Sequence, residues 1–124
     1  GTAEAATTAG AAVTTAGAAA SSPAGQRTIL WLEEQLTRVE HIMAQKHAWD
    51  RLVTLSGNLL QDYRAIQPYI QQAINSGMGR EIGTTPKGPL MEFVATINGQ
   101  QVVVKAIQLA NNVFEISNAW VQTR

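Results

Sequence analysis

Two runs rich in Val, Ile, Phe and Thr, residues 90–97 and 100–109, are separated only by Asn98-Gly99. Asn-Gly accepts positive φ at both central positions of a tight turn, so the two runs fold back on each other as an antiparallel hairpin. A third run of the same character, residues 113–122, follows the reversal expected at Asn111-Asn112. Together they predict a three-stranded antiparallel meander. Side chains alternate between the faces of a strand. That rule puts Phe114, Ile116 and Trp120 on one face of the last strand and Glu115, Ser117 and Ala119 on the other. It also points Lys105 out of the sheet, opposite Val104. Trp120 then reads as core or as a lid on the core.

Upstream the periodicity changes. Ile29, Leu32, Leu36, Val39 and Met43 recur at three-four spacing, which predicts an amphipathic helix over residues 27 to about 46. Ser56-Gly57-Asn58 interrupts it, and Asn58 with Gln61 forms a plausible capping pair for a second helix. Leu59, Tyr63, Ile66, Ile70, Ala73 and Ile74 make its apolar face; Pro68 predicts a kink or a division into two short helices before Gly77. Residues 77–89 read as a long connector with four glycines and two prolines. Its backbone N–H groups, with Thr85, Arg80 and Lys87, could surround a phosphate. The expected fold class is α+β, with two or three N-terminal helices packed on a C-terminal antiparallel sheet of at least three strands.

Residues 1–26 are a different material. The first 25 contain eleven alanines, five threonines and four glycines, and Thr7-Thr8-Ala9-Gly10-Ala11-Ala12 recurs as Thr14-Thr15-Ala16-Gly17-Ala18-Ala19. No charge occurs from Ala5 to Gln26, but Leu, Ile and Phe are also missing, so neither a membrane span nor a signal peptide is expected. The segment reads as a linker to something upstream, and residues 27–124 as the folding domain.

Nine basic residues balance nine acidic ones, so no overall basic excess announces a nucleic-acid binder. From residue 41 onward, however, seven basic side chains face five acidic ones. There is no cysteine, hence no disulfide framework or thiolate metal site, and two histidines alone rarely hold zinc. No metal and no cofactor are expected. Both histidines, His41 and His47, fall in one ten-residue stretch with Lys46 and Trp49, which add a positive charge and a flat stacking surface. Histidine takes and gives protons near neutral pH, so chemistry is expected here. On one continuous helix the two would lie six positions apart, about 240° around the axis, and could not meet. They converge only if the helix ends between them; otherwise His41 is a surface residue and His47 a packed or capping one. Lys105, Glu115 and Ser117 read either as a rigid floor for a site or as the solvated face of the sheet.

Three blocks carry a resemblance: Lys46-His47-Ala48-Trp49-Asp50 leading into Leu52 to Asn58, Asp62 to Ile70, and Ile97-Asn98-Gly99-Gln100 through Ser117-Asn118-Ala119-Trp120-Val121. In order and spacing they are similar to the C-terminal toxin domains of bacterial polymorphic toxins, type 35, over residues 38 to 124. Such modules resemble the barnase, EndoU, colicin and RelE group of ribonucleases in plan. The resemblance implies metal-independent RNA cleavage through the ribose 2′-OH, leaving a 2′,3′-cyclic phosphate, with tRNA a possible target. It implies His47 first, then His41, as base and acid, with Lys46 and Ser117 in the catalytic set. Trp49, Arg80, Thr85, Lys87, Lys105 and Trp120 are the candidates for holding the substrate. A delivered effector acting in the cytoplasm of a target bacterium is implied, partnered by a cognate immunity protein; a monomer is expected. The competing readings are a non-catalytic module of a secretion or phage assembly, which predicts separated histidines and an exposed apolar patch, and a toxin against DNA or NAD.

Overall fold

Asn98 and Gly99 have φ of 51° and 78°, and the turn they make sets Ile97 opposite Gln100. The two flanking strands then run in continuous antiparallel register from that pair to Leu90 opposite Ile107. They form the centre of the sheet. A computed structural model describes residues 27–76 and 79–123; the expected linker, 1–26, lies outside the described residues. In chain order the elements are β1 (Thr28–Leu30), α1 (Leu36–Ile42), two single 3-10 turns (Gln45–His47 and Trp49–Arg51), α2 (Leu59–Ser76), β2 (Arg80–Thr85), β3 (Gly88–Ile97), β4 (Gln100–Ala110) and β5 (Val113–Gln122). The strand order is β1-β5-β4-β3-β2, with β1 parallel to β5 and every other neighbour antiparallel.

This architecture corrects the expected one. The sheet is mixed and five-stranded, the chain enters it through a strand, and the two α-helices are mid-chain rather than N-terminal. Ile29 and Leu32, counted above as the first turn of a helix, do not belong to one. Ile29 is the buried centre of β1, paired with Phe114, and Leu32 sits at φ 57°, where the chain turns out of the strand. Helical spacing therefore survives only in α1, whose buried residues are Val39 and Ile42. The connector expected at 77–89, described from residue 79 onward, also contains a strand: Arg80–Thr85 pairs with β3 through a bulge between Glu81 and Gly83.

Helix α2 runs unbroken through Pro68, which is exposed. A proline in a helix interior removes one hydrogen bond and crowds a carbonyl; here that loss falls on the solvent side. Asn58 Oδ1 accepts the Gln61 N–H at 2.9 Å at its start. The Asp62 carboxylate accepts the Ser56 N–H and hydroxyl, both at 2.8 Å, and the Gly57 N–H at 3.1 Å. Tyr63, Ile66, Ile70, Ala73 and Ile74 are fully buried, in one cluster with Val39 and Ile42 of α1 and with the inward side chains of the sheet.

Both helices thus cover one face. On β3 the inward residues are Phe93 and Ile97, on β4 Val102, Val104 and Ala106, on β5 Phe114, Ile116, Ala119 and Val121. The last set breaks alternation because Ser117 is an extra residue: Lys105 pairs with Asn118 and Ala106 with Ile116, leaving Ser117 unpaired. Such a bulge shifts the register of facing by one. Trp120 consequently leaves the face of Phe114 and Ile116, where alternation put it, and Ala119 replaces it in the core. The second face, over which neither α-helix packs, carries Glu92, Val94, Lys105, Glu115 and Trp120.

Candidate active site at the edge of the sheet

Strand β1 pairs with Val113–Glu115, so among the described residues no strand lies beside this edge of β5 from Ile116 onward. Unpaired edge groups need partners. Segment 36–49 supplies them. Arg38 Nη1 donates to Ile116 O at 2.5 Å and to Glu115 Oε2 at 3.2 Å, while the His47 ring lies against the backbone of Ala119.

The local path of the chain brings the histidines together. Helix α1 stops at Ile42, the second of its two buried residues, and Ala48 adopts the left-handed conformation (φ 60°, ψ 32°) between the two 3-10 turns. The Ile42 carbonyl, one of those a helix end leaves without a backbone partner, accepts two side-chain donors: His47 Nδ1 at 2.8 Å and Trp49 Nε1 at 2.9 Å. Since a carbonyl only accepts, His47 carries its hydrogen on Nδ1 and the lone pair of the neutral ring is on Nε2. With the helix ended, His41 and His47 stand edge to face, 5.4 Å between ring centroids. Trp120 is next, 6.1 Å from His47, and Lys105 Nζ lies 5.3 Å from the centre of the Trp120 ring.

Exposure separates the two imidazoles. His47 is buried, at 6 %, whereas His41 is exposed and lines a shallow depression of about 480 Å³ with Gln35, Leu36, Thr37, Arg38 and Ser117. Burial pulls the pKa of His47 below its ordinary value, helped by the neighbouring His41 and Lys46; the carbonyl of Ile42 and the backbone of Ala119 oppose the shift without cancelling it. His47 is therefore neutral at pH 7. Beside the depression, Glu115 holds two cations: Arg38 and, at 3.0 Å, Lys87 from the β2–β3 turn. Burial pushes its carboxyl up, but the bonds from Lys87 and Arg38 outweigh this and hold it below the usual carboxylate range.

The sequence candidates thus divide. His41, His47, Ser117, Trp120 and Lys105 form one neighbourhood, with Lys46 exposed at its margin. Trp49 does not join it as a stacking surface: at 2 % exposure, with its indole N–H fixed on Ile42, it is core. The phosphate cradle expected from the 77–89 connector is likewise not formed. Thr85 Oγ1 closes the β2–β3 turn by donating to Gly88 O at 2.8 Å, Arg80 pairs with Glu92 at 2.7 Å, and Lys87 is held by Glu115. Sequence reasoning missed Arg38; Glu115, read with Lys105 and Ser117 as the floor of a site or the solvated face of the sheet, is buried and ion-paired. Nothing near Arg38 marks it, because its partner lies 77 residues away. An acid between Phe114 and Ile116 was the only signal for Glu115.

Compared with known families, curated proteins and solved structures, the chain matches no family model, no curated protein and no solved structure. The likeness to type 35 toxin domains rests on the residue blocks alone. Among the described residues no helix is long and apolar enough to cross a membrane, and no group of three or more His, Asp and Glu could hold a metal ion.

Proposed function

We propose that this chain is the toxin domain of a bacterial polymorphic toxin and cleaves RNA without a metal, by attack of the ribose 2′-oxygen on the adjacent phosphorus. The observation that carries the reading is the meeting of His41 and His47 at 5.4 Å beside a depression lined by Arg38 and Ser117. His41, the exposed imidazole, touches the substrate and removes the 2′-OH proton. Arg38 faces the phosphoryl oxygens as negative charge builds on them, with the Ser117 hydroxyl beside it. The 5′-oxygen departs with a proton from water at the open mouth of the depression, leaving a 2′,3′-cyclic phosphate. His47, first in the sequence reading, takes a different part here. Buried and neutral, it is a positioning residue that fixes His41 without placing a second charge against the imidazolium that forms. Delivery into a competing bacterium and restraint by a cognate immunity protein complete the proposal.

The test is incubation of the protein in EDTA with a single-stranded RNA and with DNA of the same sequence, followed by analysis of fragment ends. Cut RNA ending in cyclic phosphate, beside intact DNA, is the expected result. RNA left intact by folded protein, or DNA cut equally well, would contradict it.

A further inference from the structure

Trp120 reaches the face of the sheet away from the two α-helices because Ser117 is bulged out of the pleat of β5. Once there it is a mounted surface rather than a mobile one. Its indole Nε1 donates to Gln122 Oε1 at 3.0 Å, and Val103, 6 % exposed, lies directly across from it on β4. Lys105 stands on the neighbouring strand position with its ammonium 5.3 Å from the ring centre. Of the other cations on this side, Arg80 is paired with Glu92, while Arg38 and Lys87 share the single carboxylate of Glu115, which leaves one of their two charges over. Lys105 forms no ion pair among the described residues, even though Glu92 is its register partner on β3. The fixed ring has as neighbours an ammonium with no carboxylate partner among the described residues and His47, 6.1 Å away, which stands against the exposed His41. A nucleotide presents the complementary chemistry, a flat base for the ring and an anionic phosphate for the ammonium.

From this arrangement we propose that the Trp120–Lys105 pair is a nucleotide-binding subsite that selects single-stranded RNA. The proposal rests on the ribonuclease reading of the same neighbourhood and assigns its substrate class. A base stacks on Trp120, and Lys105 swings from the ring to the adjacent phosphate. A flat indole accepts any base that is unstacked. Bases inside an A-form duplex are stacked on one another and display only groove edges and backbone, so paired RNA has nothing to lay on the ring.

The experiment measures binding, not cleavage. The probe is an octanucleotide with 2′-O-methyl ribose, which lacks the nucleophile and cannot be cut, offered single-stranded and as a duplex to the parent, Trp120→Ala, Trp120→Phe and Lys105→Met proteins. The parent is expected to bind the single strand at least tenfold more tightly than the duplex. Trp120→Ala should weaken single-strand binding by about 5- to 100-fold, since stacking on an aromatic side chain is worth that much. Trp120→Phe, which keeps a ring, should retain most of the binding and covers the case that the alanine variant fails to fold. Lys105→Met should lower the dependence of log affinity on log salt by about 0.7, the contribution of one phosphate contact on a single strand. Equal affinity for strand and duplex, or parental affinity in both Trp120→Ala and Lys105→Met, would overturn the subsite. Uncut RNA alongside intact single-strand binding would instead remove the nuclease reading and leave the subsite standing.

Discussion

The Ile42 carbonyl decides the geometry of the site. Two side chains, His47 and Trp49, bond to it from one short stretch, and the stretch can double back only because Ala48 is left-handed. Replacing Trp49 by Phe removes one of the two donors but leaves the acceptor satisfied by His47. The expected cost is that of one hydrogen bond plus a modest loss of volume, about 1–2 kcal/mol in urea unfolding. Replacing it by Ala empties a fully buried site and should cost about 3–5 kcal/mol. His41 is the opposite case. It is exposed, so His41→Ala should unfold at the parental denaturant concentration while lowering RNA cleavage by about 10²- to 10⁴-fold, the usual worth of a general acid or base.

Among the elements, β5 carries one inserted residue. Deleting Ser117 removes the bulge but keeps Ile116 opposite Ala106 and Asn118 opposite Lys105, so Ala119 and Val121 stay inward and Trp120 stays outward. The expected result is a cooperative thermal transition that is retained. Gly88 is a constraint: its φ of 151° and the closeness of the Gln108 carbonyl leave no room for a Cβ, so Gly88→Ala should destabilise by more than about 1 kcal/mol in the same assay. These two positions also show what a sequence can and cannot reveal. Helix α2 was legible because its six apolar positions form one stripe, and the β3–β4 hairpin because Asn98-Gly99 is a local signal. Strand β1 was not, since three residues carry no periodicity and their partners, Val113–Glu115, lie far along the chain. The facing of Trp120 was misread for a related reason: a bulge is defined by the partner strand, and alternation along one strand cannot register it. The histidines could be singled out by chemistry, but their meeting required the helix to end at Ile42; Arg38, and its pairing with Glu115, became visible only in three dimensions.

At the scale of the whole molecule, acid should unfold the protein in two stages. His47 has its pKa lowered from 6.5 in the fold, so the unfolded chain binds its proton more readily. Its contribution to stability is complete above pH 6.5 and is lost as pH falls below that value toward the folded pKa. Asp62 and Glu115 have lowered pKa values as well, Asp62 chiefly through the Ser56 N–H, and Glu115 through Lys87 and Arg38 acting against burial. Their contribution is complete above ordinary carboxylate values, 3.8 and 4.5, and is lost at lower pH. Urea midpoints measured from pH 8 to pH 3 should therefore fall first below about 6.5 and again below about 4.5; in a His47→Gln variant only the second fall should remain. Net charge is zero over the chain, so any attraction for RNA must come from local placement, with Arg38, His41 and Lys105 around one corner of the sheet. The most direct measurement of that account is the rate at which a single-stranded RNA is cut by the parent and by His41→Ala, in EDTA, with both proteins shown to melt alike. Cleavage by the parent to cyclic phosphate ends and its loss in the variant is the predicted result. Equal cleavage by the two would contradict a site centred on His41.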